Sequence, residues 1–192
     1  CVDKTGTITE NSMSVKKLVP TQLYDKETTP ELEKLVGDFV KAMGSDNSTM
    51  EALKEYFKDG TGAVAVRTIP FTSATKYSGV VFEEKSYVLG APEFVLREDY
   101  ETYRLEIQTY AKRGYRVLVF GTYEGTLEGT KLTEKVLPLG YILLANPIRK
   151  EAPETFAYFA EQGVEVKVIS GDNPMTVSEV AKEAGIENAE EY

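Results

Sequence analysis

The chain has 192 residues, 22 basic against 31 acidic side chains and a net charge of −9, with 42% hydrophobic and 28% charged residues. That is too apolar for disorder and too acidic for a binder of nucleic-acid backbones, although a nucleotide needs only a few local cations and amides. With no His and a single Cys, Cys1, His-ligated zinc, cysteine clusters, Ser-His-Asp triads and internal disulfides are excluded, which leaves carboxylates, lysines, hydroxyls and a hard metal ion for any catalysis.

In chain order, Asp3-Lys4-Thr5-Gly6-Thr7 is polar and turn-like, and a short strand follows at Val15–Val19. Pro30–Met43 is expected to be a helix with Leu32, Leu35, Val36, Phe39 and Val40 on one face. Ser48-Thr49-Met50-Glu51 has the form of a capping box opening a second helix, with Ala52, Leu53, Tyr56 and Phe57 inward and Gly60 as its stop. From Ala63 to Leu89 the period shifts towards two, with Val64, Val66, Phe71, Val80, Phe82, Tyr87 and Leu89 in short runs, as in an antiparallel meander.

Glu101–Arg113 reads as a helix ended by Gly114, and Arg116–Phe120 and Leu137–Leu144 as strands. After Asn146-Pro147 the pattern becomes helix (Ala152, Phe156, Phe159, Ala160), strand (Val164–Ile169), polar Gly loop and helix (Met175, Val177, Val180, Ala181, Ala184 inward), which is α/β parallel-sheet grammar. A β-rich middle, residues 16–142, is thus bracketed by a head, 1–15, and an α/β tail, 143–192, as when one module is inserted in a loop of another. No apolar run approaches the ~20 residues of a membrane span. The ends, Cys1-Val2-Asp3 without a signal peptide pattern and an acidic tail from Glu187 to Tyr192, read as those of a piece of a longer polypeptide.

Two stretches carry chemistry. Asp3 at the carboxyl end of a strand, followed by a Gly-containing turn, puts a carboxylate at the sheet edge where open α/β sheets bind ligands. Such a carboxylate can attack phosphorus if cations offset the repulsion of two anions, and the amides and hydroxyls of Thr5-Gly6-Thr7 suit a phosphate. A surface Asp-Lys turn explains the same residues. Ser170-Gly171-Asp172-Asn173, between strand and helix, offers an anion site or simply a helix cap.

Together these residues resemble the P-type ATPases, cation pumps phosphorylated on aspartate. Asp3–Thr7 reads DKTGT, the family's phosphorylation motif. Ser170–Asn173 is similar to TGDN with Ser for Thr, Asn146-Pro147-Ile148-Arg149 to the hinge motif DPPR with Asn for Asp, and Gly90-Ala91-Pro92-Glu93 to KGAPE. The resemblance implies an antiparallel-sheet nucleotide-binding domain with flanking helices, inserted into a partial haloacid-dehalogenase-like α/β phosphorylation domain.

It further implies ATP and Mg²⁺ as cofactors, with Asp3, Lys4 and Thr5 catalytic. Asp3 would take the γ-phosphate, and Asp3 with the Thr5 carbonyl would hold the metal. The nucleotide would meet Thr49, Phe71 (stacking on adenine), Lys76, Gly90, Ala91 (close backbone approach to the base) and Arg116 (reaching the phosphates), with Ser170, Gly171 and Asp172 about the transferred group. Glu10–Val15 and Asn146–Arg149 would be the hinge. The partners would be transmembrane and actuator domains of the same pump on the cytoplasmic side of a membrane, with no nucleic acid and a monomeric chain.

Departures from the pattern matter. Leu89 replaces the Lys of KGAPE, Met50 stands where an acidic residue often meets the adenine amino group, and Ser73 stands where many members carry Arg. Each removes charge or hydrogen bonding, so ATP affinity is expected to be weak, roughly −4 to −5 kcal/mol. The later motif with Mg²⁺-binding aspartates and the Lys that neutralises the phosphoryl group are not in the sequence, so this chain alone is not expected to turn ATP over. A free phosphatase of the haloacid-dehalogenase type would commonly carry Asp where Thr5 stands, and Thr there suits a phosphoenzyme that must persist. A non-catalytic nucleotide-binding module is the third reading. Without His the heavy-metal pumps fit less well than a pump for Ca²⁺, Mg²⁺ or another hard cation.

Overall fold

The computed structural model describes residues 1–21, 29–172 and 174–190; Asn173 and the last two residues of the acidic tail lie outside them. The strands are β1 (Val2–Asp3), β2 (Ser14–Pro20), β3 (Arg67–Ile69), β4 (Tyr77–Val81), β5 (Ser86–Gly90), β6 (Arg116–Tyr123), β7 (Val136–Ala145) and β8 (Val168–Ile169). The helices are α1 (Thr29–Ala42), α2 (Ser48–Tyr56), α3 (Pro92–Leu96), α4 (Tyr100–Lys112), α5 (Ala152–Glu161) and α6 (Pro174–Glu183).

Six strands form an antiparallel sheet in the order β2-β7-β6-β5-β4-β3. Its central strands are apolar at nearly every position because both faces are covered. On β6, Leu118 and Phe120 join Leu32, Phe39, Val40 and Leu53 of α1 and α2, while Val117 and Val119 join Val95 and Leu96 of α3 and Ile107 of α4. The sheet is therefore the middle of three layers. The Phe120 ring meets Phe39 edge-on at 5.5 Å and stacks on Tyr87 at 5.4 Å, and each such fully buried ring is worth about 2–3 kcal/mol.

A second unit is built on β1 and β8, which pair in parallel with Val2 opposite Val168 and Asp3 opposite Ile169. Its core holds Ile8, Ala152, Phe156, Ala181, Ala184 and Ile186. Among the described residues no helix is long and apolar enough to cross a membrane.

Several local expectations change. The cap of α2 is Asn47, whose side chain accepts from Met50 N at 2.9 Å, so the Ser48–Glu51 capping box does not form. That helix ends at Tyr56, not at Gly60, and Tyr56 is half exposed. Residues 63–66 precede β3 rather than forming strand, and Val64 and Val66 are exposed because β3 is the sheet's edge. Of the strand expected at Val164–Ile169 only the last two residues pair, since β1 offers just Val2 and Asp3 as partners. On α6 the inward residue of the first turn is Thr176, while Met175 lies outside.

Candidate functional site

Strand β1 ends at Asp3, and the chain turns sharply through Lys4–Ile8 before entering the linker to the large sheet. Gly6 takes φ +79°, a left-handed conformation that glycine adopts without a Cβ penalty, and a Cβ there would also press to 2.9 Å on Asn11 Oδ1. Asp3 is exposed, and its Oδ1 accepts from Lys4 N at 2.9 Å. The turn is closed by Thr9, whose N and Oγ1 donate to Lys4 O at 3.0 and 3.3 Å.

The Asn-Pro-Ile-Arg segment clamps this turn. Arg149 Nη2 donates to Gly6 O at 2.7 Å and Arg149 N to Ile8 O at 2.9 Å. Thr9 bridges Ile148, Glu10 N donates to Pro147 O at 2.8 Å, and Asn146 Nδ2 donates to Ser12 O at 2.8 Å. The two linkers therefore run side by side, continuous with the β2–β7 pairing at Ser14 and Ala145. The sequence motif pointed to this segment but gave Arg149 no part in holding the Asp3–Ile8 turn.

The second loop reaches the first through its acid. Lys4, buried, directs Nζ to Asp172 Oδ2 at 2.6 Å, and Asp172 N donates to Ser170 Oγ at 3.2 Å. Asp3, Lys4, Ser170, Gly171 and Asp172 thus share one corner above the parallel strands, joined by this ion pair. Ser170 and Asp172 also line a cavity of about 420 Å³ between β8 and α6.

Across the large sheet lies a separate cavity of about 530 Å³, within the range typical of small-molecule sites. Thr49, Phe71, Lys76, Gly90, Ala91 and Arg116 all line it. They arrive from α2, the β3–β4 turn, the end of β5 and the start of β6. Met50, Leu53, Leu89, Ile107, Val117 and Leu118 make an apolar wall, and Asn47, Ser48, Ser78 and Glu93 add polar atoms. The set thus extends past the residues found by motif; Glu93 lies in the quoted Gly-Ala-Pro-Glu run, whereas Ser78 and Asn47 carry no sequence signal.

Local geometry fixes the rim. Lys76 is left-handed at φ +58°, its N donates to Thr72 O at 2.9 Å, and its carbonyl accepts from Ala91 N at 3.0 Å. A non-glycine residue in that region is uncommon and clusters at functional sites. Gly90 has a packing reason of its own: a Cβ there would come within 2.4 Å of Lys76 O. Behind the wall, Tyr141 donates to Glu106 Oε2 at 3.1 Å, and burial first, then the Glu106 carboxylate, push its phenol well above the usual value.

The residues fit the implied groups in different degrees. A flat ring (Phe71, 43% exposed) over an apolar wall, with Lys76 and Arg116 on the lining, suits a nucleotide. Among the described residues no cluster of three acidic or sulfur ligands exists, so no all-protein cage is present. Asp3 with a hard carbonyl suits Mg²⁺ carried in by phosphates, which is how that ion is commonly held.

Residues 1–191 match the family of haloacid dehalogenase-like hydrolases. The chain belongs to that family. Within it, this haloacid dehalogenase-like chain is 36% identical over 187 residues to the calcium-transporting ATPase CtpE of Mycolicibacterium smegmatis, a match covering 97% of this chain and 23% of that protein. It is 32% identical over 196 residues to the probable cation-transporting ATPase exp7 of Streptococcus pneumoniae, covering 100% of this chain and 24% of that one. The chain therefore spans about a quarter of the length of these relatives. A crystal structure of a zinc-transporting PIB-type ATPase superposes with a TM-score of 0.67 at 18% identity, over 96% of this chain and 27% of that one. The fold is shared with that structure, and the sequence is similar to one stretch of these cation-transporting ATPases.

Proposed function

We propose that this chain is the ATP-binding and phosphoryl-accepting part of a P-type cation pump, with residues 16–142 as the nucleotide domain and residues 1–15 and 143–192 as the phosphorylation domain. The observation that carries the reading is the meeting of Thr49, Phe71, Lys76, Gly90, Ala91 and Arg116, from four separate elements, on one cavity. Phe71 offers the face on which adenine stacks, the aliphatic wall excludes water, and Lys76 and Arg116 meet the phosphates.

In the reaction, an Asp3 carboxylate oxygen forms a bond to the γ-phosphorus while the bond from that phosphorus to the bridging oxygen of ADP breaks, and the electron pair leaves with ADP. The product is an acyl phosphate. Asp3 with the Thr5 carbonyl would hold Mg²⁺, which supplies charge neutralisation between the two anions. Lys4 keeps its ammonium on Asp172 and so orients both loops rather than sitting on the phosphate. Arg149 holds the turn through Gly6 O, and Ser170 with Gly171 supplies polar donors to the transferred group. Thr5, in place of an acid, leaves no carboxyl to assist hydrolysis, which favours a pump over a phosphatase.

In the whole protein, hydrolysis of the acyl phosphate would be coupled to ion movement through transmembrane and actuator domains, with this part on the cytoplasmic side. The relative named for calcium transport supports a hard cation as cargo. Titrating the labelled chain with ATP and following amide shifts tests the pocket: changes at Phe71, Lys76, Gly90 and Arg116 in the millimolar range are expected, and none at saturating nucleotide would reject it.

A further inference from the structure

The two units touch at a place neither motif includes. Helix α4 of the large unit ends at Lys112, and Gly114 follows at φ +87°. Over it sits Thr176 from the first turn of α6, whose side chain is buried although the sequence pattern points Met175 inward. Thr176 Oγ1 donates to Lys112 O at 3.2 Å. That carbonyl, at the end of α4, has no partner within its own helix, so the second unit supplies the cap. A Cβ on Gly114 would lie 2.2 Å from Thr176 Cγ2, so the threonine methyl occupies the space a side chain would need. Arg113 and Glu179 flank the contact, Nε to Oε1 at 3.8 Å.

We propose that Thr176 and Gly114 form a latch that sets the register of the nucleotide cavity against the acceptor loops. Gly114 is two residues from Arg116 on the cavity wall, and Thr176 is four residues from Asp172, the partner of Lys4. The contact therefore joins the two sites by short stretches of chain. Its chemistry is specific: the hydroxyl is needed for the carbonyl and the methyl for the glycine, so neither Ser nor Val replaces Thr fully. One hydrogen bond, one methyl contact and a half-exposed ion pair make a closure that opens easily, unlike the linkers, which are covalent. Thr176 and Gly114 are positioning residues, and that role rests on the proposed nucleotide chemistry; the contact itself does not.

The test reads the latch without nucleotide, so its failure is distinguishable from failure of the ATP reading. Gly114→Ala drives a Cβ into the Thr176 methyl, and the double variant Gly114→Ala/Thr176→Ser removes that methyl while keeping the same backbone strain. Small-angle scattering of the whole chain is expected to show the radius of gyration rising in Gly114→Ala by roughly 1 Å or more above the ~16 Å of a compact chain this long, and falling back in the double variant. If the single variant scatters as the parent does, or the double stays as open as the single, the latch is wrong. Should Gly114→Ala fail to fold, Thr176→Val, which keeps a methyl over Gly114 and loses the bond to Lys112 O, is expected to raise the radius of gyration as well, and no rise likewise overturns the proposal. A positioning role adds one readout: with Gly114→Ala, ATP still shifts the Phe71 amide, while manganese-ATP no longer broadens Gly6 and Gly171.

Discussion

Lys4 Nζ lies 2.6 Å from Asp172 Oδ2, joining the residue after Asp3 to the loop after β8. The lysine side chain is 8% exposed and the aspartate 48%, so the pair sits between a surface bridge and a buried one. Removing one partner costs most when the buried charge is left behind. Asp172→Ala is therefore expected to destabilise by about 1–3 kcal/mol, and Lys4→Met by less, because it removes the buried charge and keeps the stem. Urea melts of the two variants decide this, and a larger loss in Lys4→Met would contradict it.

The cavity has a direction. If Phe71 carries the base and Arg116 the phosphates, Phe71→Ala weakens ATP and AMP alike, whereas Arg116→Ala weakens ATP roughly five- to tenfold, about 1–1.4 kcal/mol, and leaves AMP nearly unchanged. Isothermal titration with both nucleotides checks it. The reverse pattern would mean the nucleotide lies the other way round.

Leu89 makes a gain-of-affinity test. Leu89→Lys puts a cation on the apolar wall of the cavity, and ATP binding is expected to tighten several-fold while Met50→Ala, remote from charge, does not tighten it. Both are read by the same titration.

Away from the site, the buried Asp38 of α1 accepts from Thr61 N at 3.0 Å, Gly62 N at 3.1 Å and the Thr61 hydroxyl. Gly37 and Gly60 are needed for that approach, since a Cβ on either would strike Asp59 O or Asp38 Oδ1. Asp38→Ala is expected to cost about 2–3 kcal/mol and to speed hydrogen exchange at Thr61 and Gly62. Asn47→Ala should cost about 1 kcal/mol and Ser48→Ala less than about 0.5 kcal/mol, which separates the observed cap from the expected one.

The elements most legible in the sequence are those whose period reports burial. β6 and β7 read as unbroken apolar runs because helices cover both faces, and α1 shows its stripe because one face is wet. Legibility fails where burial and period part company. Val64 and Val66 alternate like a strand yet stand beyond a sheet edge, and Thr176 is buried by another helix's end rather than by its own apolar stripe. Asp38 looks like any polar helix residue, because its partners, the Thr61 amide and hydroxyl and the Gly62 amide, lie in a distant loop. The candidate site was readable as motifs, each local in sequence. That Thr49, Phe71 and Arg116 face one cavity depends on strand order, which no local pattern encodes.

A nucleotide held in this cavity is proposed to bring its phosphates and metal to Asp3. Amide relaxation with manganese-ATP, nucleotide in excess, tests it most directly, since the paramagnetic ion broadens whatever it approaches. Broadening of Thr5, Gly6 and Gly171 together with Lys76 and Arg116, all relieved by excess magnesium, is expected. Broadening at the cavity alone, or scattered over the acidic surface with Thr5 and Gly6 untouched, would contradict it.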